Sequence, residues 1–289
     1  MRLLVVLVTA SLLIAGCSTA DAPRPSTEAS SASPRVEPVA PVPAPGIEHV
    51  HNLALLPDST LLVGTHEGLW RQDSAGAELD RIGEPFDVMG FFASSKWLAS
   101  GHPAPGSSSP PDLGLLRSND EGRTWRSVSL GGTADFHRLV GAGPVVLGAN
   151  SGDGLLWRSE DHGKTWQTLG PAPFDIAMDP NSAKRVIGTT SQGPIGSDDG
   201  GRSWQRLGDK KIALVNWTQD RLYGVATNGT IHGSDDAGMT WTELGTGVGV
   251  PEAFAAQGDV LAVLSEGTVW VSEDRGESFT ARVTGIPVH

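Results

Sequence analysis

Five of the chain's eight histidines stand in short motifs, four of them beside a second imidazole or a carboxylate. These are His49-Val50-His51, Thr65-His66-Glu67-Gly68, Ser100-Gly101-His102-Pro103 and Asp135-Phe136-His137, with Asp87-Val88-Met89 as a thioether counterpart. Imidazole with carboxylate suits zinc or a similar ion, and imidazole with thioether suits copper. His49, His51, His66, His102, His137 and Met89 are therefore candidate ligands for a transition metal, copper or zinc. The same region offers a second chemistry. Glu67, Asp87 and Asp135 are candidate catalytic carboxylates, because glycoside hydrolysis needs a pair of them at a set separation. The plainer alternative is that these groups satisfy polar backbone around a wet channel and no cofactor is bound. His162, His232 and His289 fall outside the motifs and receive no role.

An internal repeat must position these residues. The pattern Ser-x-Asp-x-Gly-x-Thr/Ser-Trp begins at Ser118, Ser159, Ser197, Ser234 and Ser272, at spacings of 41, 38, 37 and 38 residues, with Phe279 replacing Trp in the last copy. Its Asp (Asp120, Asp161, Asp199, Asp236, Asp274) can accept bonds from backbone amides in a tight turn. The following Gly can take a positive φ, and the aromatic covers the hairpin. Two apolar runs precede each copy, for example 174–178 and 185–189, so each repeat holds four strands. A degenerate first copy ends at Asp73-Ser74-Ala75-Gly76. Six repeats of about 40 residues predict an all-β, six-bladed β-propeller of four-stranded antiparallel blades, with seven blades as the lesser alternative.

The repeat resembles the Asp-box, or BNR repeat, of sialidases and many other β-propellers, with a fold related to sialidase and sortilin-type propellers. A sialidase-like activity would require a tyrosine nucleophile and three arginines around the sugar carboxylate. Tyr223 is the one tyrosine, set inside an apolar run, and no Arg-Ile-Pro segment opens the domain. Exo-sialidase chemistry is therefore not expected. The His-x-His, Thr-His-Glu-Gly and Gly-His-Pro segments also resemble those of small bacterial propeller lipoproteins labelled glycosyl-hydrolase-like from their repeats.

In a propeller meander the first strand starts, and the second ends, on one face. The turn between strands three and four lies on the opposite face. The Asp boxes are thus expected on one side and the five motif histidines on the other, around the channel mouth. Aligned first strands place His49, Asp87, Asp135 and Asp175 at one position and His51, Met89, His137 and Ala177 two residues later. His49 and His51, two apart on a strand, are expected to point together. The Ser/Pro-rich insertion 104–112 follows a second strand and should overhang the same mouth.

The flanks concern location. Residues 1–17 read as a signal peptide ending in Leu13-Ile14-Ala15-Gly16-Cys17, which resembles a lipobox with Cys17 as the lipidated residue. Residues 18–46 hold seven of the chain's 20 prolines and no aromatic residue, predicting a disordered tether before a propeller at 47–289. The protein is expected to be exported and lipid-anchored to the bacterial membrane, touching it through the anchor alone, and to be monomeric. A net charge of −12 gives no basic footprint for nucleic acid. Three functions stay open: a noncatalytic module binding a metal or small polar ligand, a hydrolase acting on an extracytoplasmic glycan, and a scaffold that docks a protein partner.

Overall fold

The structure is a computed structural model and describes residues 39–288. Cys17, the signal peptide and His289 lie outside the described residues. Among the described residues there is no helix, and so none long and apolar enough to cross a membrane.

The predicted six blades are present, each a four-stranded antiparallel meander. A short strand, β1 (Val42–Pro43), precedes them. Blade 1 is β2 (Val50–Leu55), β3 (Leu61–Thr65), β4 (Gly68–Gln72) and β5 (Asp80–Ile82). Blade 2 is β6 (Phe86–Phe92), β7 (Trp97–Pro103), β8 (Leu115–Ser118) and β9 (Arg126–Ser129). Blade 3 is β10 (Phe136–Ala142), β11 (Val145–Asn150), β12 (Leu155–Ser159) and β13 (Gln167–Pro171). Blade 4 is β14 (Ile176–Asp179), β15 (Ser182–Thr190), β16 (Gly193–Ser197) and β17 (Gln205–Arg206). Blade 5 is β18 (Ile212–Trp217), β19 (Leu222–Ala226), β20 (Ile231–Ser234) and β21 (Thr242–Gly245). Blade 6 is β22 (Ala253–Gln257), β23 (Val260–Ser265), β24 (Thr268–Ser272) and β25 (Thr280–Thr284).

The core is distributed over the joints between blades. Among the described residues, six apolar clusters each draw on two neighbouring blades. Leu62 and Leu69 of blade 1 meet Val88, Phe91 and Trp97 of blade 2, while Val50, Leu53 and Val63 of blade 1 meet Ala255, Leu264 and Val269 of blade 6. The second strands allow this because both their faces are covered: β3, β11 and β19 are buried at every residue.

The ring closes in two ways. The β1 strand pairs in parallel with β25, as a fifth strand on the outer edge of blade 6. Residues 42–43, which composition placed in the tether, are thus a strand. Proline 43 is tolerated because it sits on an outer edge where its missing N–H is not needed for a ladder. Beside it, Arg282 of β25 is buried and reaches across to blade 1. Its Nε donates to Gln72 Oε1 at 2.6 Å, and its other nitrogens donate to the Gln72 and Ser59 carbonyls.

The Asp boxes form nearly superimposable hairpin corners. In the first, Asp120 accepts from the Thr124 amide at 2.9 Å and the Thr124 hydroxyl at 2.6 Å. Ser118 Oγ donates to Asp120 and accepts from the Gly122 amide, both at 2.8 Å. The same bonds recur at Asp161, Asp199, Asp236 and Asp274. Box aromatics cap the interblade clusters, as Trp125 does edge-on to Phe86 and Phe91. The hydrogen-bonded corners themselves, between third and fourth strands, lie on the face away from the starts of the first strands.

Candidate functional site

The mouth residues are aimed by irregularities in the first strands. In β2 the ladder skips between Val50 and Asn52, so His51 is the extra residue of a bulge. The same skip falls at Met89 in β6 and at His137 in β10. Bulges re-aim side chains and recur next to functional sites. His49 lies just before β2, so the two histidines do not meet through the strand pleat as expected. They meet because a bulge turns His51, and their rings lie 4.6 Å apart.

His66 joins them from the β3–β4 turn. Thr65 holds that turn by donating to the Gly68 carbonyl at 3.0 Å and accepting from the Glu67 amide at 3.0 Å. The His66 amide bonds the His49 carbonyl, drawing the turn against the strand start. The His66 ring lies 4.6 Å from His51 and 5.3 Å from His49. One nitrogen from each of the three imidazoles falls within 4.8 Å of the others. A tetrahedral zinc site with Zn–N near 2.0–2.1 Å needs nitrogens about 3.4 Å apart. Glu67, a catalytic candidate, instead accepts a long bond from the Glu48 amide.

Asp87 completes this group from blade 2. One carboxylate oxygen is 3.3 Å from His51 Nε2 and the other 3.6 Å from His66 Nδ1. His51 Nε2 and Asp87 Oδ1 are both buried, and neither makes a hydrogen bond. Buried polar atoms are almost always satisfied, and these two face each other as a His–Asp ion pair.

The second half of the mouth starts directly across the sheet. Asp87 and His102 are facing partners in the β6–β7 ladder. Gly101 makes that register feasible: its φ is +151°, and a Cβ there would collide with the Asp87 carbonyl. His102 Nδ1 is 2.9 Å from the Pro111 carbonyl and 3.5 Å from Asp112. The insertion 104–112 thus folds onto the mouth face as expected and supplies Asp112, which the sequence motifs did not include. His102 Nε2 faces Asp135 at 3.7 Å. His137 Nε2 donates to the same Asp135 oxygen at 2.7 Å, and Ser151 donates to it as well. Burial pushes the Asp135 carboxyl up, yet those bonds and the adjacent histidines hold it net below the usual carboxylate range. Its other oxygen is buried without a partner.

Two further sequence candidates have other partners. Met89 offers its backbone carbonyl to Asn52, and its side chain is half-buried at the bulge. Asp175 is not a free mouth carboxylate. It lies buried beside the channel, accepting from Arg138 Nε at 2.9 Å and the Val215 amide at 2.8 Å, and desolvation pushes its carboxyl up. The apolar run from Phe174 also becomes strand only at Ile176, leaving Phe174 exposed. Tyr223 is packed at 1% exposure in β19, as the sequence implied, and burial pushes its phenol up. His232 is likewise buried, its Nδ1 bonded to the Thr230 carbonyl. Below the mouth runs a central cavity of about 390 Å³, reached by His51, Arg138 and Asp175.

Comparison with known proteins agrees with this architecture. Residues 156–169 match the BNR-Asp box repeat. No curated protein matches the sequence. Among solved structures, YCF48 bound to a D1 peptide is similar, with a TM-score of 0.53 at 16% identity, covering 86% of this chain and 85% of that one. A GH74 xyloglucanase from Xanthomonas campestris gives 0.52 at 18% identity, covering 84% of this chain and 46% of that one. A chain of the nidogen/laminin complex gives 0.56 at 14% identity, covering 73% and 88%. The chain spans less than half of the xyloglucanase. Fold and repeats together define a six-bladed Asp-box β-propeller.

Proposed function

We propose that this propeller is a noncatalytic binding module that holds a transition-metal ion, zinc or copper, at its channel mouth. The observation that carries this is the convergence of His49, His51 and His66 from two separate segments onto one point, with Asp87 behind them. Three imidazoles and a carboxylate are the ligand chemistry these ions prefer. The exported, lipid-anchored location predicted from Cys17 fits the same reading. The chain reaches β1 at the box-bearing end, with Val39 against Gly76 of the blade 1 hairpin.

The hydrolase alternative is weaker on this geometry. A general acid needs a raised pKa and access to a leaving group. Asp135 is shifted down, and Asp175, though shifted up, is buried against Arg138. The xyloglucanase likeness is one of fold, and fold does not carry function.

Equilibrium titration of the purified chain with Zn2+ and Cu2+ tests the proposal. We expect tight binding that His51→Ala or His66→Ala weakens by at least about 10-fold, as loss of a ligand should. Unchanged affinity in both variants, or no binding by the parent, would overturn it. A glycan-hydrolysis screen abolished by Asp135→Ala, with metal irrelevant, would favour the hydrolase.

A further inference from the structure

The His102 half of the mouth poses an electrostatic problem of its own. A carbonyl oxygen can only accept, so the contact between His102 Nδ1 and the Pro111 carbonyl at 2.9 Å fixes the proton on Nδ1. In a neutral ring, Nε2 then carries a lone pair, and it points at an Asp135 oxygen 3.7 Å away. Two acceptors facing each other in a partly buried place repel unless a positive charge, a second ring proton or a bound cation, lies between them. Metal-bound histidines have this same arrangement: the distal N–H is tied to a carbonyl or carboxylate, here Pro111 and Asp112, and the other nitrogen is left for the ion.

The surroundings are preset for a cation. Asp135 is only 9% exposed at its side chain, and its Oδ1 is buried with no hydrogen-bond partner. His137 Nε2 lies 2.7 Å from the other oxygen, so both imidazoles converge on one carboxylate. Ser151 and the Asn150–Asp135 amide contact anchor that carboxylate from blade 3. The insertion loop is pinned from both sides, by the Leu113 amide to Gly101 and the Gly132 amide to Asp112, which fixes His102.

We propose a second cation position at the mouth, ligated by Nε2 of His102, Nε2 of His137 and the Asp135 carboxylate. It adjoins the His49–His51–His66 centre, because Asp87 of that centre and His102 of this one are facing residues of one ladder, with Cβ atoms about 4.5–5.5 Å apart. In the neutral ring, moving the His137 proton from Nε2 to Nδ1 frees Nε2 for the ion. This deepens the metal-binding reading and rests on it only in the choice of ion. The second position has its own ligands and can be lost alone.

The experiment is a count of bound metal. The full chain is loaded with Zn2+, freed of excess by gel filtration and assayed by elemental analysis, alongside His51→Ala, His102→Ala and the double variant. His137→Ala serves as an independent removal of the second position, and circular dichroism confirms folding. We expect two zinc ions in the parent, one in each single variant and none in the double variant. One ion in the parent, lost with His51→Ala and retained with His102→Ala and His137→Ala, overturns the second position and leaves the first. One ion lost with either His51→Ala or His102→Ala means a single shared site and overturns the two-position proposal. One ion lost only with His102→Ala and His137→Ala supports the second position and overturns the first. No bound zinc overturns both.

Discussion

At the Asp-box corners a single carboxylate organises a whole turn, and its ionisation reflects the hydrogen bonds it accepts. Hydrogen bonds from Thr124 and Ser118 hold Asp120 down to about 2, and those from Ser278 and Ser272 do the same for Asp274. Asp161, Asp199 and Asp236 are shifted down for the same reason. A carboxyl whose native pKa is depressed gives stability that is fully present above its unfolded value near 3.8 and lost as pH falls through the native one. Thermal unfolding is therefore expected to be insensitive to these groups above about pH 5 and to weaken steeply between about pH 4 and 2. Asp120→Ala should lower the midpoint at neutral pH and shrink its fall in acid. An acid profile identical to the parent's would show that the corner bonds contribute nothing. The sequence pattern made the Asp and the Gly legible. It did not reveal that Ser118 Oγ bridges the Asp and the Gly amide, nor that Glu121 also takes a positive φ, 56°, because neither demand excludes other residue types strongly.

Elements decide how the mouth is assembled and how the ring is shut. The spacing of boxes predicted the blades because each blade must repeat one hairpin chemistry to bury both its faces. The bulges at His51, Met89 and His137 were not legible, since a bulge is an accommodation between two strands and leaves no fixed residue signature. Nor was β1, whose proline-rich composition suits an extended edge strand as well as a tether. The closing contact from Arg282 to Gln72 links residues 210 positions apart, a separation no local pattern can display. Its energetic weight follows from burial. Gln72→Ala leaves the Arg282 guanidinium buried beside a lost acceptor, and urea unfolding should show a loss of about 1–3 kcal/mol. Arg275→Ala, removing an ion pair to Asp259 that is more than half exposed on both sides, is the control and should cost clearly less. Equal effects would mean that the closure is not a special point of the ring.

At the scale of the whole molecule, the two faces divide the labour. One carries five repeated corners that fix the fold. The other gathers five histidines and three aspartates from blades 1 to 3 and their connections. Strand direction alone assigned the histidines to one face, but their partition into two groups, one around Asp87 and one around Asp135, depends on register and side-chain aim. The Asp boxes that invite comparison with sialidases are therefore remote from the proposed chemistry. The most direct test is an anomalous-scattering map of crystals grown with Zn2+ or Cu2+, recorded at the absorption edge of the added metal. The expected result is a strong peak enclosed by His49, His51 and His66. Saturating metal with no peak at the mouth, or with the dominant peak on the Asp-box face, would contradict it.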